Sequence, residues 1–138
     1  MASAPRPVAA GEPGLRVLVV EDSPIGREVL KRALPKIEAE TTWALNGSEA
    51  VRAFAQGAFD VVLMDLRMPG MDGIAAIREM RAFEKLNRQA RTPILVVSAH
   101  SATEDKRATM EAGADLHMAK PYDVPTLLGA IQGITARL

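Results

Sequence analysis

Short, nearly unbroken apolar runs occupy residues 15–20, 60–64, 93–97 and 116–119, with a poorer one over 39–44. A run of this length without polar alternation suits a strand covered on both faces, as in a parallel sheet. Between the runs the apolar residues recur at helical spacing. Ser23 followed by Pro24 caps a helix to about residue 34, with proline at its first position. Asn46-Gly47 turns into a second helix through residue 56. A loop holding Pro69 and Gly70 leads to a third over 73–86, with Ile74, Ile77 and Met80 facing inward. A fourth helix over 103–112 closes at Gly113, and its apolar anchors are only Met110 and alanines. Asp123 caps the last helix, whose stripe is Val124, Leu127, Leu128, Ile131 and Leu138. Five strand–helix units in series predict an α/β fold with a doubly wound parallel sheet.

Residues 1–14 are dominated by Ala, Pro and Gly without periodicity, which predicts a flexible tail or linker before a domain over 15–138. Such a length fits one domain with one substantial core. The 17 basic and 17 acidic residues balance, so no bulk field draws the chain to nucleic acid or membrane. No apolar stretch approaches the roughly 18 residues of a membrane span, and the first residues lack the apolar centre of an export signal. The absence of cysteine excludes disulfides and thiolate chemistry and fits a cytoplasmic location.

The chemistry gathers where the strands end. Glu21 and Asp22 follow the first run, Asp65 the run 60–64, Ser98 the run 93–97 and Lys120 the run 116–119. In an open α/β sheet the carboxyl ends of the strands share one edge, and ligands bind there. Three carboxylates, a hydroxyl and an ammonium therefore meet at one place. Taken singly each has a plainer role, since Asp22 and Ser23 suit a helix cap, Ser98 a strand end and Lys120 a solvated surface. Their coincidence at four strand ends favours a site. Like-charge repulsion among three carboxylates is itself a reason to expect a cation.

Over 15–138 the chain resembles the response-regulator receiver domains of two-component signalling, through VLVVEDSP, FDVVLMDLRMPGMDG, TPILVVSAHS and GADLHMAKPYD in that order. The MPGMDG loop and TPILVVSAHS are closest in style to the receivers of hybrid histidine kinases. The resemblance implies a flavodoxin-like (βα)5 fold with strand order 2-1-3-4-5. It implies that Asp65 is the phosphoacceptor, that Lys120 contacts the phosphoryl group and that Ser98 reaches its oxygen. Glu21, Asp22, Asp65 and the backbone carbonyl of Arg67 would hold Mg²⁺, with Mn²⁺ as an alternative ion. Hard oxygen ligands and retained waters suit that ion, so few carboxylates suffice.

The resemblance further implies a histidine kinase or histidine phosphotransferase as donor, docking against Ile25, Gly26 and Val29. Helical spacing puts Ile25 and Val29 on one stripe while Leu30 and Leu34 turn inward. His117 stands where receivers usually carry an aromatic switch residue, and an imidazole there is smaller and titrates near neutrality. Arg67 and His100 match places that flank the path of attacking water. The domain would be a signalling module that turns over its own aspartyl phosphate, not an enzyme acting on other molecules. It would belong to a hybrid histidine kinase or stand as a single-domain regulator.

Other classes fit less well. A haloacid-dehalogenase-type phosphatase needs a second Asp two residues after the nucleophile, and that residue is Arg67. No GxxxxGK[ST] motif marks a nucleotidase. A binding-only pseudo-receiver would lack part of the acidic pair, the Asp or the Lys, and all are present. With no effector segment after Leu138, direct contact with DNA is not expected.

Overall fold

The computed structural model describes residues 14–66, 71–98 and 103–136. Strands β1 (Arg16–Val20), β2 (Glu40–Ala44), β3 (Val61–Leu66), β4 (Ile94–Ser98) and β5 (Leu116–Ala119) form one sheet in the order β2-β1-β3-β4-β5. All neighbours are parallel. Helices α1 (Pro24–Ala33), α2 (Gly47–Gln56), α3 (Met71–Leu86), α4 (Thr103–Ala112) and α5 (Val124–Thr135) follow the five strands in turn. The expected five-unit doubly wound sheet is therefore present, in the strand order that the resemblance implied.

Strand alternation sends each inner strand into two cores. Leu18, Val20, Val62, Met64, Ile94 and Val96 pack with Phe54, Ile77 and Met80 of α2 and α3. Val17, Val19, Leu63, Leu95 and Val97 pack with Leu30 of α1 and with Leu127 and Ile131 of α5. Burial on both faces explains why these runs are continuous rather than alternating. The edge strand β5 departs from that expectation, because Leu116 and Ala119 are exposed and His117 and Met118 only half-buried. An edge strand has a neighbour on one side only, so its apolar run ends up partly in water.

The caps follow the sequence. Ser23 Oγ accepts from Gly26 N at 3.2 Å, and Asn46 Oδ1 from Glu49 N at 2.8 Å. Asp123 Oδ2 accepts from Thr126 N at 3.1 Å. Each satisfies one of the amide donors that a helix start leaves without an intrahelical partner.

Some element details differ from the sequence reading. The chain beyond α1 tightens into a 3-10 turn over Leu34–Ile37, ending on Glu38 at φ 56. Helix α3 starts at Met71, two residues early. Among the α4 residues whose burial is described, Thr109 and Ala112 are buried and Met110 is exposed. Thr109 can be buried because its hydroxyl donates to the Lys106 carbonyl at 3.0 Å. Gly113 does close that helix, with φ 126. The tail over 1–13, Arg67, His100 and Leu138 lie outside the described residues.

Candidate functional site at the carboxyl edge of the sheet

Glu21, Asp65, Ser98 and Lys120 arrive at one edge because each ends or follows a parallel strand. The Glu21 amide extends the ladder to Ala44 O at 2.9 Å, and the Lys120 amide bonds to Ser98 O at 2.8 Å. Asp65 lies opposite Val97, and Ser98 lies between Leu66 and Ala119. Asp65 and Ser98 are the penultimate residue of β3 and the last of β4, so both are held by strand hydrogen bonding rather than by a loop.

The Asp65 side chain is almost wholly buried, and its Oδ1 lies 2.5 Å from Lys120 Nζ. Glu21 is completely buried, and its Oε2 accepts from Ser23 N at 2.9 Å. That carboxyl therefore sits at the amino end of α1, where the helix dipole favours negative charge. Burial nevertheless pushes the Glu21 carboxyl up to about 8, and its side-chain contact with Asp65 adds to the shift. Among the described residues, Glu21 Oε1 and Asp65 Oδ1 are buried with no hydrogen-bond donor. For Asp65 Oδ1 the neighbouring Lys120 ammonium is an ion-pair contact.

The remaining residues divide. Ser98 is buried beside the Asp65 strand end. Asp22 is exposed, so its carboxylate is not packed with those of Glu21 and Asp65. Accordingly, among the described residues no three acidic, His or Cys side chains are arranged as a metal-binding group. His117 is half-buried in β5, across from Val96 and on the opposite face to Met118, which joins the α1 and α5 core. Ile25 is 78% and Val29 37% exposed, whereas Leu30 and Leu34 are buried. Ile25 and Val29, with Pro24, Glu28 and Arg32, line an open depression of about 470 Å³ on α1.

The sequence reading missed Tyr122. It packs on the α1 and α5 core, and burial raises its phenol to about 12, with Asp65 and then Glu21 adding to the effect. Its place two residues after Lys120 was the available signal.

A family model for the response regulator receiver domain matches residues 17–132. The chain belongs to that family. The receiver is 40% identical over 106 residues to the sensor protein GacS of Pseudomonas syringae pv. syringae, covering 77% of this chain and 12% of that protein. The receiver spans half or less of the length of the curated relatives it matches first.

Among solved structures it is similar to the receiver domain of sensor histidine kinase PA1611 from Pseudomonas aeruginosa PAO1 (TM-score 0.78, 32% identity, 89% of this chain and 98% of that one). That structure has magnesium coordinated in its active-site cleft. It is also similar to the Saccharomyces cerevisiae Ssk1 receiver domain, co-crystallised with the histidine phosphotransfer protein Ypd1. There the TM-score is 0.81 at 31% identity, over 90% of each chain. Among the described residues no helix is long and apolar enough to cross a membrane.

Proposed function

We propose that this receiver takes a phosphoryl group from a phosphohistidine onto Asp65. The observation that carries the reading is the buried Asp65 carboxylate, 2.5 Å from Lys120 and in contact with Glu21. A carboxylate oxygen of Asp65 attacks phosphorus, the phosphorus–nitrogen bond breaks, and the imidazole leaves with the bonding pair. Such transfer asks mainly for positioning and neutralisation of charge. Lys120 supplies a fixed ammonium for the phosphoryl oxygens, and the Ser98 hydroxyl donates to one of them once the acyl phosphate has formed.

The donor set suits Mg²⁺, and Mn²⁺ would substitute. Glu21 Oε1 and Asp65 Oδ1 are buried acceptors that meet no hydrogen-bond donor among the described residues. Asp22, its exposed side chain turned inward, and the Arg67 carbonyl would complete an all-oxygen set. The ion, when bound, neutralises charge on the carboxylates and the phosphoryl group. The Mg²⁺ in the PA1611 receiver supports this reading.

The donor is a histidine kinase or a histidine phosphotransferase, and Ile25, Gly26 and Val29 form its docking surface. The pairing of the Ssk1 receiver with Ypd1 supports that partner class. The domain works in the cytoplasm as a signalling module, within a hybrid histidine kinase or alone, and His117 sits on the face that responds. Mixing the protein with acetyl phosphate and Mg²⁺ tests the reading. One hydroxylamine-labile phosphate per chain is expected. Sustained release of phosphate without a labelled protein would instead mark a phosphatase, and no label with no turnover would overturn the proposal.

A further inference from the structure

Gly26 stands in the first turn of α1, directly over the carboxyl of Glu21. A Cβ built on Gly26 would lie 2.4 Å from Glu21 Oε1, 2.6 Å from Cδ and 3.1 Å from Oε2. The backbone there is not left-handed, so conformational freedom does not explain the glycine. Helix propensity argues against it, since alanine is the better residue at an ordinary helical position. Two glycines of α5 make the contrast, because a Cβ on Gly129 or Gly133 meets nothing within 4 Å. What Gly26 provides is space.

The carboxyl that occupies this space has little freedom to yield. Glu21 is completely buried, its Oε2 is tied to Ser23 N, and its side chain also meets Asp65. A methyl group at position 26 would push the carboxyl out of this place or lift the first turn of α1. Aspartate at position 21 would be one methylene shorter, and its carboxyl would withdraw from the helix.

We propose that Gly26 is a positioning residue for the acidic pair, holding open the place beneath α1 from which the Glu21 carboxyl serves the metal. The proposal rests on the function given above and assigns Gly26 a role apart from donor docking. Removing groups that orient a metal ligand commonly weakens the metal about 10- to 100-fold. Neither a magnesium titration nor acetyl phosphate labelling involves a docked donor protein, so both separate this role from docking.

The test is calorimetric titration of the whole chain with Mg²⁺, paired with melting in chelator, for Gly26→Ala, Gly129→Ala, Glu21→Asp and Glu21→Asp/Gly26→Ala. Gly26→Ala should weaken Mg²⁺ about tenfold or more, and acetyl phosphate labelling should recover at high Mg²⁺. Gly129→Ala should match the unsubstituted chain. In the Glu21→Asp background the added methyl should have little effect. If Gly26→Ala fails to fold alone but folds with Glu21→Asp, the coupling stands. Unchanged Mg²⁺ affinity in Gly26→Ala overturns the proposal. So does an equal loss, or equal failure to fold, in both backgrounds, because the methyl would then act on α1 itself. An unsubstituted chain that neither binds Mg²⁺ nor labels would overturn the function beneath the proposal, and the proposal with it.

Discussion

Arg81 donates to Asp115 at 2.7 Å, joining α3 to the start of β5 at the sheet end away from Asp65. The same guanidinium bonds Glu84 at 2.8 Å and the carbonyls of Gly113 and Thr92, both at 2.9 Å. Asp115 also accepts from Ile94 N, and Glu84 from Thr92 N. Arg91 adds a second guanidinium on Asp115 and Gly113 O. Gly113 is suited twice over, since its φ is 126 and a Cβ there would lie 2.7 Å from Arg81 Cγ.

Only 14% of the Arg81 side chain and 6% of the Glu84 side chain is exposed. Removing one member of such a pair leaves the other buried and uncompensated, at a cost of about 3 kcal/mol or more. Arg81→Met keeps much of the apolar stem and should lower stability by about that much in urea unfolding. Acetyl phosphate labelling of the folded protein should persist, because the network is remote from the site. A loss below about 0.5 kcal/mol would show that solvent relaxation satisfies Glu84 and Asp115.

Asp65→Asn keeps the size of the side chain and removes its nucleophilic charge. We expect no hydroxylamine-labile phosphate and an intact fold by circular dichroism. It should also relieve the crowding with Glu21, so melting in chelator should not fall. Labelling of the variant at the unsubstituted rate would reject Asp65 as the principal acceptor.

Asp22→Asn removes one hard anionic oxygen from the acidic set. Because Asp22 is exposed, the substitution should change chelated stability by no more than about 0.5 kcal/mol. Mg²⁺ affinity and the rate of phosphorylation should both fall, and excess metal should recover part of the rate. Phosphorylation that runs undiminished in excess chelator would remove the metal from the mechanism.

Much of this was legible in the sequence because parallel strands convert order along the chain into position in space. Asp65, Ser98 and Lys120 end or follow strands, so locating the apolar runs located them too. Rotamers and burial were not legible in that way. Glu21 and Asp22 are neighbours of the same chemistry, yet one is fully buried and the other exposed, because successive residues leaving a strand diverge. Tyr122 entered the site through the fold of the chain after Lys120, which periodicity does not encode. The Arg81 network was invisible for a related reason. Its members come from α3, the α4 terminus and two strand starts, and only the assembled sheet brings them together. On β5 an apolar run looked like a covered strand, but an edge position outweighed composition.

Val29→Glu separates docking from chemistry. Val29 is 37% exposed on α1 beside the 78% exposed Ile25, while Leu30 and Ala33 carry that helix's share of the core. A glutamate at position 29 therefore remains in contact with water, so the cost of burying an unpaired charge does not arise in the free protein. Melting should change by an amount equivalent to about 0.5 kcal/mol or less. Labelling by acetyl phosphate should be unaffected, since a small donor needs no docking surface. Against a phosphohistidine donor the outcome differs, because the new carboxylate would be desolvated where an apolar contact is expected. Losses of about 2 kcal/mol at interface centres correspond to roughly a 30-fold fall in transfer efficiency. The measurement is the rate of phosphoryl transfer from the cognate kinase or phosphotransferase at sub-saturating receiver. Transfer at the unsubstituted rate would move the docking surface off α1.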